Sequence, residues 1–443
     1  MMLPKRVETF EENSRELLEA KIAQKTAKIA VLGLGYAGLP LALKFAEKGF
    51  PVLGLDIDKK KVENVNLGVS YIRGVPLEAA PASGLSASTD FSRLRKTDIV
   101  IICVPTPLGK TKDPDLSMVL TAGRAIAKNL HAGQLIVLQS TTYPGTTREL
   151  LLPLMEEETG LRVGEDFFLA YSPERIDPGN EAYHLKNTPK IVAGTTRACL
   201  ELVQMLYHEV VDEVVPVGNT DTAEMVKILE NTFRSVNIAL VNEVAIMCSR
   251  LGLDVWEVIR AASTKPFGFM PFYPGPGLGG HCIPVDPHYL SWKLRLLAYK
   301  PRFIELADEI NRDMPRFVVE KVIEALNRER KSVNGSKILM LGVAYKKDSE
   351  DVRESPALDV MKLLQERGAQ LSYHDPWVGE LAFNGERMRS VALGPKLLAS
   401  RDLVVIVTDH SAFDAREIVE SSRLVIDSRN LTAGIESEKI TRL

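Results

Sequence analysis

Ile29-Ala30-Val31-Leu32-Gly33-Leu34-Gly35-Tyr36-Ala37-Gly38 decides how the rest of the chain is read. Four apolar residues give a buried-strand signal, a glycine-spaced turn follows, and an apolar helical pattern runs over 39–48. In that setting each glycine has a task. Gly33 permits the tight turn and Gly35 lets backbone approach a pyrophosphate. Gly38 lets helix and strand pack closely, while the helix N-terminus that Tyr36 and Ala37 lead into receives the negative charge. A second apolar run at 52–55 ends on Asp56, 18 residues past Gly38. An acid there bonds the adenine-ribose hydroxyls and repels a 2′-phosphate, so NAD is expected over NADP. FAD, or a glycine turn that merely packs a βα unit, are the alternatives.

Further apolar runs at 99–103, 135–138 and 168–170 are spaced for crossover helices, which is how a parallel sheet reads. Residues 28–218 are therefore predicted to form a doubly wound, NAD-binding domain, preceded by a helical extension over 1–27. A long helical stretch begins at Thr220-Asp221 and ends at Leu251-Gly252, with Asp221 as N-cap, Glu224 three residues on and Gly252 as the stop. It would span roughly 45 Å at 1.5 Å per residue. That exceeds what covering a sheet needs, so it reads as a spine joining two domains and supplying a subunit interface. A Pro/Gly-rich loop at 266–280 and renewed helical pattern complete a central helical domain over 219–330. After the Asn334-Gly335 turn, apolar runs at 338–341, 370–373, 403–407 and 424–426, with a helical stretch at 357–367, predict a second α/β domain over 331–443. The fold class is α/β: two Rossmann-like doubly wound domains joined by a long central helix and a helical middle domain.

Composition narrows the function classes. In 443 residues, 45% hydrophobic and 26% charged, a net charge of -3 offers no basic field for nucleic acid. No apolar run reaches the roughly 18–20 residues of a spanning helix, and the charged N-terminal segment lacks a signal-peptide core, so a cytoplasmic protein without a membrane partner is expected. Four cysteines without CxxC spacing fit free thiols in a reducing compartment.

Three constellations carry chemistry. Val104-Pro105-Thr106-Pro107 and Ser140-Thr141-Thr142-Tyr143-Pro144-Gly145 follow the C-terminal ends of strand runs, where open α/β sheets hold ligands. The hydroxyls of Thr106 and Thr141 could bond ribose, nicotinamide or substrate, though ordinary turns have the same composition. Second, Cys282 follows the glycine-dense Gly275-Pro276-Gly277-Leu278-Gly279-Gly280-His281 and precedes Asp286 by four residues, one helical turn if a helix begins there. A helix N-terminus stabilises a thiolate, which makes Cys282 a candidate nucleophile rather than a small buried residue. His281, Cys282, Asp286 and His288 are also metal-ligand types, but consecutive His281 and Cys282 point apart and paired ligand spacings are missing, so no metal is expected. Third, Glu224, Lys227, Asn231 and Arg234 share one face of the long helix. Such stripes are usually solvated, yet Asn231 has poor helix propensity, and a cation one turn from an amide can hold an oxyanion or phosphate oxygen.

At these residues the chain resembles the UDP-glucose/GDP-mannose dehydrogenase family, from about Lys28 to Asn430. The most specific stretch is Lys265-Pro266-Phe267-Gly268-Phe269-Met270-Pro271-Phe272-Tyr273-Pro274-Gly275, continuing to Cys282. Tyr171-Ser172-Pro173-Glu174-Arg175, Lys227 with Asn231, and Tyr345-Lys346-Lys347-Asp348 with Arg353-Glu354-Ser355 add to it. The resemblance implies four-electron oxidation of a UDP-sugar at C6, with NAD taking two hydrides and Cys282 holding thiohemiacetal and thioester. Lys227 and Asn231 would steady the oxyanion. Glu174 would be the general base of hydrolysis, with Thr141 and Asp286 ordering the water. Arg175, Arg234 and Gly279 would contact substrate, and Phe272, Tyr273, Lys346 and Arg353 the uridine or pyrophosphate. His281 and the proline-rich loop argue against UDP-glucose and for a UDP-N-acetylhexosamine, UDP-N-acetylglucosamine before UDP-N-acetylmannosamine. A homodimer or higher homo-oligomer is expected. The rival enzyme is a single-step NAD-dependent hydroxyacid or polyol dehydrogenase, and the rival non-enzyme a nucleotide-sugar sensor.

Overall fold

The computed structural model describes residues 11–443 except 73, 79, 81, 110 and 177–181, and omits the side chains of 11–13. The first ten residues of the charged N-terminal segment thus lie outside the described residues. The chain divides into two compact units, one taking residues up to Glu230 with Arg295–Leu297, the other Asn231–Leu294 with Ala298–Leu443.

The first unit holds an eight-stranded sheet of β1 (Ile29–Leu32), β2 (Val52–Leu55), β3 (Leu85–Ser88), β4 (Ile99–Ile102), β5 (Leu135–Leu138), β6 (Phe168–Tyr171), β7 (Lys190–Gly194) and β8 (Val214–Pro216). Their order is β3-β2-β1-β4-β5-β6-β7-β8, parallel except for the antiparallel β6–β7 pair. β1, β2, β4, β5 and β6 are buried at every position, as continuous apolar runs require. The order reverses between β1 and β4, the switch point where doubly wound sheets bind ligands. Around the sheet lie α1 (Glu11–Ala23), α2 (Gly38–Glu47), α3 (Lys59–Leu67), α4 (Ser117–Ala127), α5 (Leu152–Thr159) and α6 (Arg197–His208). The described part of the N-terminal extension joins the core: Leu18 and Ile22 of α1 are buried there with α6, worth roughly 2 kcal/mol each.

A 32-residue helix, α7 (Thr220–Leu251), passes from the first unit to the second between Glu230 and Asn231. Its start corrects the expectation for Asp221. Asn219 is the cap, its Oδ1 accepting the Thr222 N–H at 2.8 Å. Asp221 lies within the first turn and pairs with Arg148 at 2.9 Å. Glu224 does not reach back to the start of α7: its buried carboxylate accepts from Gly145 and Thr147 instead. At the other end Gly252 takes the left-handed φ of 70° that stops the helix.

The second unit continues through α8 (Val255–Ala262), α9 (Asp286–Arg295) and α10 (Arg302–Arg328) into β9 (Lys337–Leu341), α11 (Pro356–Gln365), β10 (Gln370–His374), the hairpin β11 (Glu380–Phe383) and β12 (Glu386–Arg389), then β13 (Leu403–Ile406), β14 (Val425–Asp427) and β15 (Ile440–Arg442). A parallel five-stranded sheet in the order β10-β9-β13-β14-β15 is buried on both faces. The strands absent from the sequence reading are β3, β7, β8, the β11–β12 hairpin and β15. β3, β8 and β15 are sheet-edge strands of three or four residues, and β3 and the hairpin carry polar residues that mask an apolar run.

Candidate active site

The glycine turn after β1 separates its three glycines by what a Cβ would meet. On Gly33, at φ 93°, it would lie 2.6 Å from the Cys103 carbonyl oxygen, and on Gly38 it would overlap the Gly33 carbonyl oxygen. On Gly35 it would meet no protein atom within 4 Å. Two glycines thus serve the fold and the middle one leaves the backbone approachable, the division that dinucleotide binding needs. α2 opens after Ala37 without any side-chain cap on its amides. Asp56 stands directly after β2. One carboxylate oxygen accepts the Leu34 N–H of the turn at 2.8 Å and the other the Asp58 N–H at 2.9 Å, while Lys61 approaches to 3.6 Å.

The loops after β4 and β5 are laced together. Thr106 Oγ1 donates to the Thr141 carbonyl at 2.8 Å, and Ser140 Oγ to that of Val104 at 2.7 Å. Farther along the second loop, Glu224 of α7 accepts from the N–H groups of Gly145 and Thr147 and from the Thr147 hydroxyl. Burial pushes its carboxyl up to about 7, although those three donors pull the other way.

After β6, Glu174 Oε1 accepts the N–H groups of Arg175 and Ile176, both at 2.8 Å. Its Oε2 accepts from Gln139 at 2.5 Å and faces the Lys190 ammonium at 3.5 Å. Lys190 is almost fully buried against the Tyr207 ring and donates to the Pro173 carbonyl. Burial lowers its pKa; Glu174 opposes the shift, and Lys227 adds to it. The first unit therefore brings Glu174 and Lys227 into one electrostatic cluster whose other members, Gln139 and Lys190, the sequence reading missed. Lys190 opens β7, a strand with no clear sequence signal. Arg175 turns to the Pro189 carbonyl at 2.6 Å and Glu230 at 2.7 Å, so both arms of its fork have protein partners.

In the second unit Cys282 is half-buried, one turn ahead of α9. Its carbonyl accepts the N–H groups of Val285 and Asp286. The Asp286 carboxylate is buried and accepts from the Asn231 amide at 2.5 Å. The polar stripe on α7 is thus interior over Glu224, Lys227 and Asn231, none more than 9% exposed, while Arg234 is exposed. The glycines before Cys282 make their close approaches to the chain itself. A Cβ on Gly279 would lie 2.5 Å from Tyr345 Cβ, and one on Gly280 2.9 Å from the Tyr345 ring. His288 faces Asp308 of α10 at 3.2 Å, and among the described residues no group of three or more His, Cys, Asp or Glu side chains could hold a metal.

Phe272 packs edge-on against Phe233, and exposed Tyr273 stacks on Trp256 with ring centroids 6.2 Å apart. Lys346 is half-buried in the long loop after β9. Arg353 is exposed, with its fork on Asp351. Arg429, missed from sequence, lies two residues beyond β14. Its Nε donates to the Val407 carbonyl at 3.0 Å, its guanidinium borders Gly275, and burial lowers its pKa. The sequence held a signal for it, since the C-terminal ends of parallel strands are where such sheets gather ligands.

Three consecutive segments match the UDP-glucose/GDP-mannose dehydrogenase family: its NAD binding domain over 27–211, central domain over 221–313 and UDP binding domain over 339–434. The chain belongs to this family. It is an NAD-dependent nucleotide-sugar dehydrogenase. UDP-N-acetyl-D-glucosamine 6-dehydrogenase of Pseudomonas aeruginosa is 37% identical, the match covering 88% of this chain and 92% of that one. UDP-N-acetyl-D-mannosamine dehydrogenase of Pyrococcus horikoshii is also 37% identical, over 91% of this chain and 96% of its own length. The solved structure of the UDP-D-ManNAc dehydrogenase from Pyrococcus horikoshii superposes with a TM-score of 0.86 at 35% identity, covering 94% of this dehydrogenase and 98% of that chain.

Proposed function

We propose that this dehydrogenase oxidises the C6 alcohol of a UDP-N-acetylhexosamine, UDP-N-acetylglucosamine in preference to UDP-N-acetylmannosamine, to the uronate through a thioester on Cys282. Both sugars are named among its 37%-identical relatives. The observation that carries the mechanism is the environment of Cys282: a half-buried residue one turn ahead of a helix whose first residue, Asp286, donates its N–H to the Cys282 carbonyl and has its buried carboxylate fixed by Asn231.

Gly33, Gly35, Gly38 and Asp56 would hold NAD, which would supply the acceptor for the hydride lost from C6 at each of the two oxidations. Cys282 sulfur adds to the aldehyde carbon, forming the C–S bond as the carbonyl π pair moves to oxygen. Lys227 and the second N–H of Asn231 meet that oxygen, where charge develops again when water attacks the thioester. Glu174 takes the proton from the water, which Thr141 and Asp286 orient. The C–S bond then breaks with its electron pair on sulfur, releasing the Cys282 thiolate. Lys346, Arg353 and Arg429 supply cations for the diphosphate, and the exposed face of Tyr273 offers uracil a stacking surface. Phe233, Leu240, Met247 and Leu251 are exposed on one flank of α7, with 46–71% of each surface open; their spacing of seven, seven and four supports pairing with a second copy. A nucleophilic thiol that must stay reduced supports a cytoplasmic enzyme.

The test is NADH formed per sugar over a panel of UDP-sugars. Two per molecule, fastest with UDP-N-acetylglucosamine, is the expected result, and one per molecule would establish the single-step route instead. Cys282→Ser should stop uronate formation while NAD binding persists. Lys227→Ala should lower kcat roughly a hundredfold to a thousandfold with a smaller change in KM.

A further inference from the structure

Both ends of the segment that carries Cys282 are held by amides on one face of α7. At its C-terminal end the Asn231 amide donates to Asp286. At its N-terminal end the Gly275 N–H donates to Asn242 Oδ1 at 2.9 Å. Asn242 is wholly buried and is itself fixed, since its Nδ2 donates to Asn311 Oδ1 at 2.9 Å and Asn311 donates in turn to the Ser235 carbonyl of α7 at 3.2 Å. Eleven residues separate Asn231 from Asn242, three helical turns plus about 20°, so the two amides point the same way about 16 Å apart along the axis. Eleven residues also separate Gly275 from Asp286. Between the pins, Gly277 has a φ of 133° and a Cβ position 3.1 Å from the Asn311 carbonyl oxygen, so the segment rests directly on that residue.

A buried amide pair can be mere core polarity, satisfied and inert. Here the partners argue otherwise. Burying two amides costs desolvation that apolar side chains would avoid, and a hydrogen bond returns little beyond that cost. What the pair adds is register, because Gly275 can meet Asn242 at only one position along α7. We infer that Asn242, backed by Asn311, is a positioning residue for the Cys282 thiol, fixing the N-terminal end of the reactive segment as Asn231 fixes the other. The inference rests on Cys282 being the nucleophile.

Slack in the segment has a specific signature. Oxidation of the alcohol to the aldehyde needs no thiol, whereas capture of the aldehyde does. When the sulfur is displaced, aldehyde escapes between the two oxidations and NADH formed per uronate rises above two. The experiment compares full-length wild-type enzyme, Asn242→Ala, Asn311→Asp and Cys282→Ser with NAD, UDP-N-acetylglucosamine and semicarbazide, scoring NADH, uronate and the trapped semicarbazone by mass. Asn242→Ala should lose uronate turnover by roughly a hundredfold, the scale of an ångström's misplacement. Semicarbazone should become its main product, with KM for NAD within about twofold of wild type. Asn311→Asp keeps an acceptor for Asn242 but sets a carboxylate oxygen where the donor faced the Ser235 carbonyl, so, once circular dichroism establishes its fold, it should trap a smaller share. If Cys282→Ser traps aldehyde but neither asparagine variant does, the positioning role is overturned while the nucleophile stands. If Cys282→Ser makes uronate normally, the nucleophile assignment falls and takes this inference with it.

Discussion

After β1 the chain turns at Gly33, φ 93°, with a Cβ position 2.6 Å from the carbonyl at the end of β4; after β9 it turns at Gly342, φ 79°, with one 2.5 Å from Thr408 at the end of β13. The acid that follows each second strand reaches back to that turn. Asp56 accepts from Leu34, and Asp375 from Val343 and Ala344. There the likeness stops. Asp56 accepts two backbone N–H groups and retains lone pairs toward its own surroundings. Asp375 accepts four, from Val343, Ala344, Trp377 and Val378, and also faces buried His410 at 3.1 Å. The first turn enters α2 at Gly38, close enough for helix amides to meet a pyrophosphate, whereas the second runs on to Pro356 and carries Tyr345, Lys346 and Arg353 on the way. On the proposed reading, one sheet keeps its acid for the cofactor. The other commits its acid to the loop, and there the proposed diphosphate contacts are cations.

Replacing the two acids is the sharpest way to break that comparison. Asp375→Ala leaves four buried N–H groups and the His410 imidazole without their acceptor, and should destabilise the protein by about 3–5 kcal/mol. Asp56→Ala orphans two N–H groups and should cost about 1–2 kcal/mol. Denaturant unfolding followed by tryptophan fluorescence reads the first directly, because Trp256, Trp292 and Trp377 all belong to the second unit. Equal losses would mean that both acids are structural.

Acidity separates the units with opposite signs. Asp375 sits at about 2 in the fold: burial alone would raise it, but the His410 hydrogen bond and the backbone amides outweigh that. Its stabilisation, about 2 kcal/mol, is present above the unfolded value near 3.8 and is lost as pH falls toward 2. Glu224 sits at about 7, raised by burial. Below pH 4.5 both folded and unfolded states hold its proton, and between 4.5 and 7 only the folded state does. Stability therefore declines by about 3 kcal/mol as pH rises through that window. Glu224→Gln should flatten this slope and leave the acid limb of Asp375 unchanged. Hydrogen exchange on 140–147 against pH checks the first effect, and tryptophan fluorescence in acid the second. An unaltered slope in Glu224→Gln would assign the decline to another group.

How far the sequence carried is visible in the same pair of turns. The strand, turn and acid around Gly33 follow a local pattern, so spacing alone located them. Cys282 and Asn231 stand out by residue choice, a thiol among glycines and an amide inside a helix, and Asp286 by lying four residues past that thiol; the structure joins Asn231 to Asp286. Lys190 and Gln139 do not stand out, since what matters is their burial around Glu174, contacts made across 16 and 35 residues with no period to betray them. Gly279 is expected from the resemblance to contact substrate, but a Cβ on it or on Gly280 would meet Tyr345, because a glycine's lack of a side chain does not say who occupies the space. Asp221 and Asn219 offer the same capping chemistry two residues apart, so composition does not separate them, and Asn219 does the capping.

The smallest expected effect tests the ligand side of the comparison. In the proposed reading Asp56 alone of the two acids chooses between cofactors, and Lys61, 3.6 Å from it, is a cation that a 2′-phosphate could use. With the carboxylate in place, its charge repels that phosphate and engages the lysine. Asp56→Ala removes the repulsion and releases Lys61, so KM for NAD should rise about tenfold as the ribose hydroxyls lose their acceptor, worth about 1.4 kcal/mol. KM for NADP should fall, by less, because Lys61 is partly solvated and its attraction is screened. Steady-state kinetics with both cofactors at low and high salt gives the two terms separately: the NAD loss should be insensitive to salt, and the NADP gain should shrink as salt is raised. Asp375→Ala, assayed under conditions where it remains folded, should leave the NAD to NADP ratio where it was. Equal use of the two cofactors by the unmodified enzyme would show that Asp56, like Asp375, serves only its own loop.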